Sequence, residues 1–153
     1  MPEQVTIERT FHAPLALVWE LWTSADGIAS WFGPRGWQVT VSANDLRVGG
    51  TFTYTMRPTD PATVAAMAKK GMPAERTVTS TWTVLDPPRR ATYVSPMGPP
   101  GEEMTTAVTF TETADGVAMH LVVGATMDGV VQGAAMGWRS SLGRLEEQLS
   151  AHA

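Results

Sequence analysis

The spacing of apolar residues changes along the chain. In the first part of the chain, this spacing predicts one strand and two helices. Residues 4–11 alternate between polar and apolar side chains, as expected for a strand. Residues 14–23 carry apolar side chains every three to four positions, as on the buried face of a helix, and the proline that opens this segment suits a first helical turn. A shorter helix should follow Asp26, which is able to cap it, and should end at Gly33-Pro34.

From residue 37 onward the period is two, which predicts a succession of β-strands. The alternating segments cover residues 37–41, 51–56, 77–85, 90–95, 104–111 and 117–126. Asp115-Gly116 separates the last two segments and is a strong hairpin signal. Because successive strands are joined mostly by short turns, the pattern indicates an antiparallel meander.

Residues 60–71 interrupt this succession with a complete set of helix signals. Asp60 is placed to cap the helix, a proline follows in the first turn, and Gly71 ends the segment after two lysines. The sequence therefore predicts a short helix with Val64 and Met67 on its inner side. We expect this helix to lie as a weakly docked lid over the mouth of a pocket.

The last predicted element is a helix from about residue 128 to 149, with two different flanks. One flank carries an apolar stripe that must be covered by another part of the fold, namely Ala134, Trp138, Leu142, Leu145 and Leu149. The neighbouring flank carries only small residues, namely Gly129, Gly133, Gly137 and Ser141. A glycine inside a helix costs about 0.5–1 kcal/mol relative to alanine. Several of them on one flank indicate a close approach to the sheet, a neighbouring chain or a ligand.

Five short motifs occur in order along nearly the whole chain. They are Pro14 with Val18-Trp19, Trp31-Phe32-Gly33-Pro34, Asp45-x-Arg47-x-Gly49-Gly50-x-Phe52, Val84-Leu85-Asp86-Pro87-Pro88-Arg89-Arg90, and Gly137-Trp138 with Leu142 and Leu145. Together these motifs resemble the SRPBCC superfamily, and within it the bacterial proteins named after the C-terminal domain of the activator of the Hsp90 ATPase. Each motif alone is weak evidence, whereas five in register are specific.

This resemblance implies an α+β helix-grip fold. In that fold a curved antiparallel sheet wraps around a long C-terminal helix, and two short helices follow the first strand. We expect residues 1–153 to form a single domain of this kind. Relatives enclose a hydrophobic cavity between sheet and helix, and they bind lipids, sterols or hormones, cyclise polyketides, or carry substrates. Fold alone does not decide among these functions.

Composition and charge remove several classes of function. The net charge is −4 and no basic patch is present, so nucleic-acid binding is not expected. The absence of cysteine excludes a disulfide scaffold, a thiolate zinc site and a cysteine nucleophile. The three histidines, His12, His120 and His152, are too scattered to predict a metal site, and no cofactor motif is present. With no signal-like N-terminal segment and no long apolar run, the expected location is cytoplasmic, away from membranes.

The aromatic and methionine content points to a pocket for a small molecule. The helical aromatic residues Trp19, Trp22, Trp31 and Phe32 are expected in the core. The fold would bring other large side chains around a pocket, where methionine adapts to a ligand and tyrosine or tryptophan orients it. The predicted ligand-binding residues are Tyr54, Met56, Trp82, Tyr93, Met119, Leu121 and Trp138.

Binding is favoured over catalysis because the predicted strands carry almost no interior acid or base. The acidic residues fall at strand ends and turns, and no catalytic residue is predicted. Tyr54 and Tyr93 are the plausible interior polar groups, and they suit hydrogen-bond donation. The first hypothesis is therefore binding or carriage of a small hydrophobic molecule, and the second is a cyclase, dehydratase or lyase that uses these tyrosines. Co-chaperone action on an Hsp90-type ATPase rests on the family name alone. A homodimer is also expected.

Overall fold

Seven strands and four helices make up the computed structural model, which describes residues 3–33, 35–97, 100–127 and 129–151. In chain order they are β1 (Glu3–Phe11), α1 (Leu15–Thr23), α2 (Ala25–Trp31), β2 (Trp37–Asn44), β3 (Thr51–Pro58), α3 (Pro61–Lys69), β4 (Arg76–Asp86), β5 (Arg90–Pro96), β6 (Glu103–Thr113), β7 (Gly116–Ala125) and α4 (Val130–Ala151).

The strands form one curved sheet in the order β1-β7-β6-β5-β4-β3-β2. All neighbouring pairs are antiparallel, so β2 to β7 make a meander and β1 closes the edge beside β7. The helix α4 packs against β1, β7 and the two short helices. This arrangement confirms the predicted α+β helix-grip fold.

The start of α2 differs from its prediction. Ser24, and not Asp26, is the N-cap, and its hydroxyl oxygen accepts a hydrogen bond from the Gly27 N–H at 2.9 Å. Ser24 is also the C-cap of α1, so the two helices share one residue at their junction. Asp26 lies within the first turn of α2, where its charge interacts favourably with the helix dipole. Pro34 and Asp128, at predicted helix ends, and His152 lie outside the described residues.

A cluster of aromatic rings joins the short helices to α4. The rings of Trp22 and Trp138 stack with centroids 5.5 Å apart and planes only 8° from parallel. Trp31 packs against both, and its indole N–H donates to the Leu21 carbonyl oxygen at 2.7 Å. Trp22 and Trp31 are buried, as predicted, while Phe32 at the end of α2 is half-buried and contacts Trp138 edge-on. These contacts fix the position of α4 over the sheet.

A second set of contacts, all polar, ties α4 to the segment that follows α2. Arg144 donates through Nη1 to the carbonyl oxygens of Phe32, Gly33 and Trp37 at 3.2, 3.0 and 3.2 Å. Close by, Arg35 pairs with Glu147, and this pairing lowers the pKa of the Glu147 carboxyl. The chain between α2 and β2 is therefore held against the helix by charged groups of α4.

The helix α3 forms as predicted, but it is exposed. Asp60 caps it through the Ala62 N–H, and Gly71 adopts a φ of +69° just beyond its end, so the start and stop signals are confirmed. No residue of α3 is buried, and Val64 is 36% exposed. The predicted inner side of this helix is thus not packed into the core, because its small side chains offer too little apolar surface for tight docking.

Replacing Arg144 with methionine should lower the free energy of unfolding by about 1.5–3 kcal/mol, because three carbonyl oxygens lose a charged donor. Urea unfolding monitored by circular dichroism measures this loss. The exposed Arg139 on the same helix provides the control, and Arg139→Met should change stability by less than about 0.5 kcal/mol. Equal effects of the two substitutions would contradict the role assigned to Arg144.

Replacing Trp138 with alanine should lower the free energy of unfolding by about 3–5 kcal/mol, because a buried aromatic ring and its stacking on Trp22 are lost. Urea unfolding again provides the measurement. Met136→Ala is a matched control, since Met136 lies two residues away on the same helix and is 73% exposed. A loss below about 1 kcal/mol for Trp138→Ala would show that this ring does not anchor the helix.

Candidate functional site: a cavity between the sheet and the C-terminal helix

A cavity of about 250 Å³ lies between α4 and the inner face of the sheet at β3, β4, β5 and β6. Aromatic, methionine and other apolar side chains supply most of its wall, and hydroxyl groups and one guanidinium supply the rest. The lining residues are Phe32, Gly33, Tyr54, Met56, Arg76, Val78, Tyr93, Ser95, Pro96, Met97, Met104, Thr106, Ala134, Gly137, Trp138 and Ser141.

Strand register explains why these sheet residues meet. Tyr54 lies opposite Val78 across the β3–β4 pair, and Tyr93 lies opposite Thr106 across the β5–β6 pair. Residues two apart on a strand point to the same face, so Met56 joins Tyr54 on the inner face. Alternation along each strand therefore delivers one row of side chains to the cavity and the intervening threonines to the outer face.

The helix α4 contributes its small residues at this end of the sheet. Ala134, Gly137 and Ser141 line the cavity, and the buried Trp138 closes it on the side of the aromatic cluster. Gly133 lies one helical turn before Gly137 and faces open space, since a Cβ atom built there meets no atom within 4 Å. The small-residue flank predicted from the sequence is therefore divided between the cavity and the surface.

Four of the seven predicted ligand-binding residues line this cavity, namely Tyr54, Met56, Tyr93 and Trp138. Trp82, Met119 and Leu121 are inward-facing as well, but they lie in the closely packed core and are no more than 2% exposed. Trp82 packs on Phe52 with centroids 4.7 Å apart. Met119 and Leu121 belong to β7, whose inner face is covered by α1 and α4. The helices thus fill one half of the concave sheet and leave the other half open.

Burial keeps the two cavity tyrosines neutral. It raises the pKa of Tyr54 to about 12, although the nearby positive charge of Arg76 opposes the shift. It also raises the pKa of Tyr93, for which Tyr54 adds a smaller contribution and a hydrogen bond with Thr106 acts in the other direction. Both hydroxyls therefore carry their protons at neutral pH and offer hydrogen-bond donors. Among the described residues that line the cavity, none is aspartate, glutamate or histidine.

Several lining residues were missed by sequence reasoning, for different reasons. Arg76 stands one residue before the predicted fourth strand, and extending that strand would have placed it in the same row as Val78. Thr106 and Ser95 alternate correctly for inward-facing positions, but only large apolar and aromatic side chains were predicted to line the pocket. Met97 lies in a turn, where no periodicity exists to place it. The alternation of the sequence was therefore sufficient to place Arg76 on the inner face, but it could not place Met97.

The helix α3 does not line the cavity in this structure. Its residues Ala62, Thr63, Ala66 and Met67 instead border a separate shallow groove with Trp37 and Met72. The structure therefore does not place α3 over the cavity, where the lid was expected. The rim of the cavity is formed by Arg76, Pro96 and Met97.

Two of the three histidines that the sequence singled out, His12 and His120, do not line the cavity. His120 is exposed on the outer face of β7, and its Nδ1 lies 3.2 Å from the Glu8 carboxylate. In residues 3–33, 35–97, 100–127 and 129–151, no three histidine or acidic side chains are grouped as metal ligands would be. Within the same ranges, no helix has the length and hydropathy needed to cross a membrane.

Comparison with known proteins places the chain among relatives of the same fold. A crystal structure of a Chromobacterium violaceum protein has a TM-score of 0.81 at 21% identity, over 97% of this chain and 98% of the other. The solution structure of the AHSA1-like protein from Aeromonas hydrophila has a TM-score of 0.76 at 24% identity, over 98% and 94%. At these identities the similarity shows the fold alone.

The family comparison covers most of the chain, whereas no curated protein matches it. Residues 12–150 match the family model described as activator of Hsp90 ATPase homolog 1-like protein. This match agrees with the motifs read from the sequence, all of which lie within the same range. The chain therefore belongs to the activator of Hsp90 ATPase homolog 1-like family, within the SRPBCC superfamily.

Proposed function

We propose that this protein binds or carries a small hydrophobic or aromatic molecule in the cavity between the sheet and α4. The observation that carries this proposal is a preformed cavity of about 250 Å³ with a mainly apolar wall and a few convergent polar groups. Ligand sites in proteins typically have this character, at volumes of roughly 300–1,000 Å³. A dry apolar cavity of about 150 Å³ already holds benzene, so a two-ring compound is a suitable size here.

The composition of the wall supports an adaptable site. Met56, Met97 and Met104 lie on three separate segments around the cavity. Methionine side chains have three rotatable bonds and a polarisable sulfur atom, so they adjust to ligands of different shape. Phe32 and Trp138 contribute rigid rings that contact each other edge-on, and an aromatic ligand is able to pack against them.

Polar groups in the cavity give a reason to keep an enzymatic alternative. Tyr54, Tyr93 and Arg76 together are able to donate hydrogen bonds to a carbonyl oxygen, as a cyclase, dehydratase or lyase would require. Such reactions also need a group that accepts a proton near neutral pH. With a pKa of about 12, Tyr54 does not supply one. Binding without chemistry is therefore the function that the cavity supports best.

Isothermal titration calorimetry with 2-naphthalenemethanol, a neutral two-ring probe, tests the binding function. We expect saturable binding at one site per chain. Ala134→Leu places a larger side chain in the cavity and should weaken binding at least about tenfold, the loss expected when a ligand clashes with its site.

Gly133→Leu provides the matched control for this experiment. It introduces the same side chain on the same helix, at a position that faces open space, and should leave the affinity unchanged. Circular dichroism spectra of both variants check that the fold is retained. No detectable binding to the wild-type protein, or equal binding by the two variants, would overturn the proposal.

We also propose that the protein forms a homodimer. The support is an exposed stretch of α4 with a bare surface at Gly133 and a large apolar side chain at Met136, which is 73% exposed. Light scattering at micromolar concentration should give twice the mass of the 16.5 kDa chain. A monomeric mass over a hundredfold range of concentration would contradict this expectation.

A further inference from the structure

Arg76 is the one guanidinium on the wall of an otherwise uncharged cavity, taking the described lining residues together. It is the first residue of β4 and lies opposite Met56 in the β3–β4 register. Its side chain is exposed, so it stands at the rim, where it contacts solvent and cavity at once. The Arg76 guanidinium is therefore placed to contact the end of a bound molecule that points toward solvent.

The positive charge of Arg76 is not neutralised by the protein nearby. Within the described ranges, Arg76 forms no salt bridge, and its neighbour Glu75 is already paired with Arg57. The protein as a whole carries a net charge of −4, so it does not attract anions in general. The unpaired guanidinium is therefore a local feature of this rim.

A second unused donor lies just inside Arg76. The Tyr54 side chain is buried, at 7% exposure, and its hydroxyl has no hydrogen-bond partner among the described residues. Because Tyr54 remains protonated at neutral pH, it donates and does not carry a charge. Tyr54 and Arg76 are diagonal neighbours on the β3–β4 pair, since Tyr54 lies opposite Val78 and Met56 lies opposite Arg76. The cavity thus has two hydrogen-bond donors on neighbouring strands within a wall that is mainly apolar.

We propose that the natural ligand is a small amphiphilic carboxylate, with its apolar body inside the cavity and its carboxylate held by Arg76 and Tyr54. This inference rests on the proposed binding function and specifies the class of ligand. A carboxylate fits because it only accepts hydrogen bonds, and a guanidinium is able to donate two of them in parallel. The apolar body packs against Met56, Met104 and Trp138, which line the same cavity.

Three probes with the same two-ring body and different head groups test the inference by calorimetry at low ionic strength. They are 2-naphthoate, 2-naphthalenemethanol and 2-naphthylmethylammonium. We expect 2-naphthoate to bind about tenfold more tightly than the alcohol, because a charged hydrogen bond is added, and the ammonium to bind most weakly. Added salt should reduce the advantage of the carboxylate, since Arg76 is exposed.

Arg76→Gln should weaken the binding of 2-naphthoate about tenfold and so remove its preference over the alcohol. Tyr54→Phe keeps the ring and should weaken 2-naphthoate binding by a few-fold, as expected for one lost hydrogen bond. Arg90→Gln is the control, because it removes the same charge from an exposed residue at the far end of β5 from Ser95. This variant should retain the full preference.

The outcomes separate this inference from the proposed function. Equal affinities for 2-naphthoate and the alcohol would overturn the carboxylate assignment while the binding function stands. The carboxylate assignment is also overturned if Arg76→Gln keeps the preference or if Arg90→Gln loses it. If neither probe binds the wild-type protein, both the inference and the proposed function are overturned.

Discussion

The stacking of Trp138 on Trp22 determines where the concave sheet is filled and where it stays open. Trp138 lies in the middle of α4, and its ring is held between the short helices and the cavity. On the C-terminal side of this residue, α4 buries the large side chains Leu142, Leu145 and Leu149. On its cavity flank the helix presents Ala134, Gly137 and Ser141, which are too small to reach the opposite strands. The anchored ring of Trp138 therefore separates the packed half of the concave sheet from the half that contains the cavity, the hollow half.

Most of the fold was predictable because, within each segment of the chain, the apolar residues recur with a single period, either that of a strand or that of a helix. Alternation predicted all seven strands, the three-to-four spacing predicted α1 and α4, and capping and stop signals predicted α2 and α3, with ends displaced by only a few residues. The cap of α2 was wrong because Ser24 and Asp26 are both good capping residues and lie two positions apart. Which of them caps depends on where α1 ends, and that point is set by tertiary packing rather than by local sequence.

The site was only partly predictable, since alternation gives the face of a strand but not what covers it. Tyr54 and Trp82 both point inward, yet one lines the cavity and the other packs on Phe52 in the filled half. That difference depends on the placement of α1, α2 and α4 over the curved sheet. Arg76 was missed for another reason: a charged residue at a strand end is usually solvated, so the predicted strand stopped one residue short of the row that Arg76 shares with Val78.

The hollow half is maintained at some cost, which indicates that it is a built feature and not a packing fault. Glycine at position 137 weakens the helix, and a cavity forfeits the contacts that a filled core would make. The structure offsets these losses close to the cavity, through the aromatic cluster on one side and the Arg144 contacts with the carbonyl oxygens of Phe32, Gly33 and Trp37 on the other. Both sets of contacts fix α4 without occupying the space between it and β3 to β6. These contacts therefore set the distance between α4 and the sheet, because the small side chains on its cavity flank do not reach the strands. The space between the helix and the sheet remains open to a ligand.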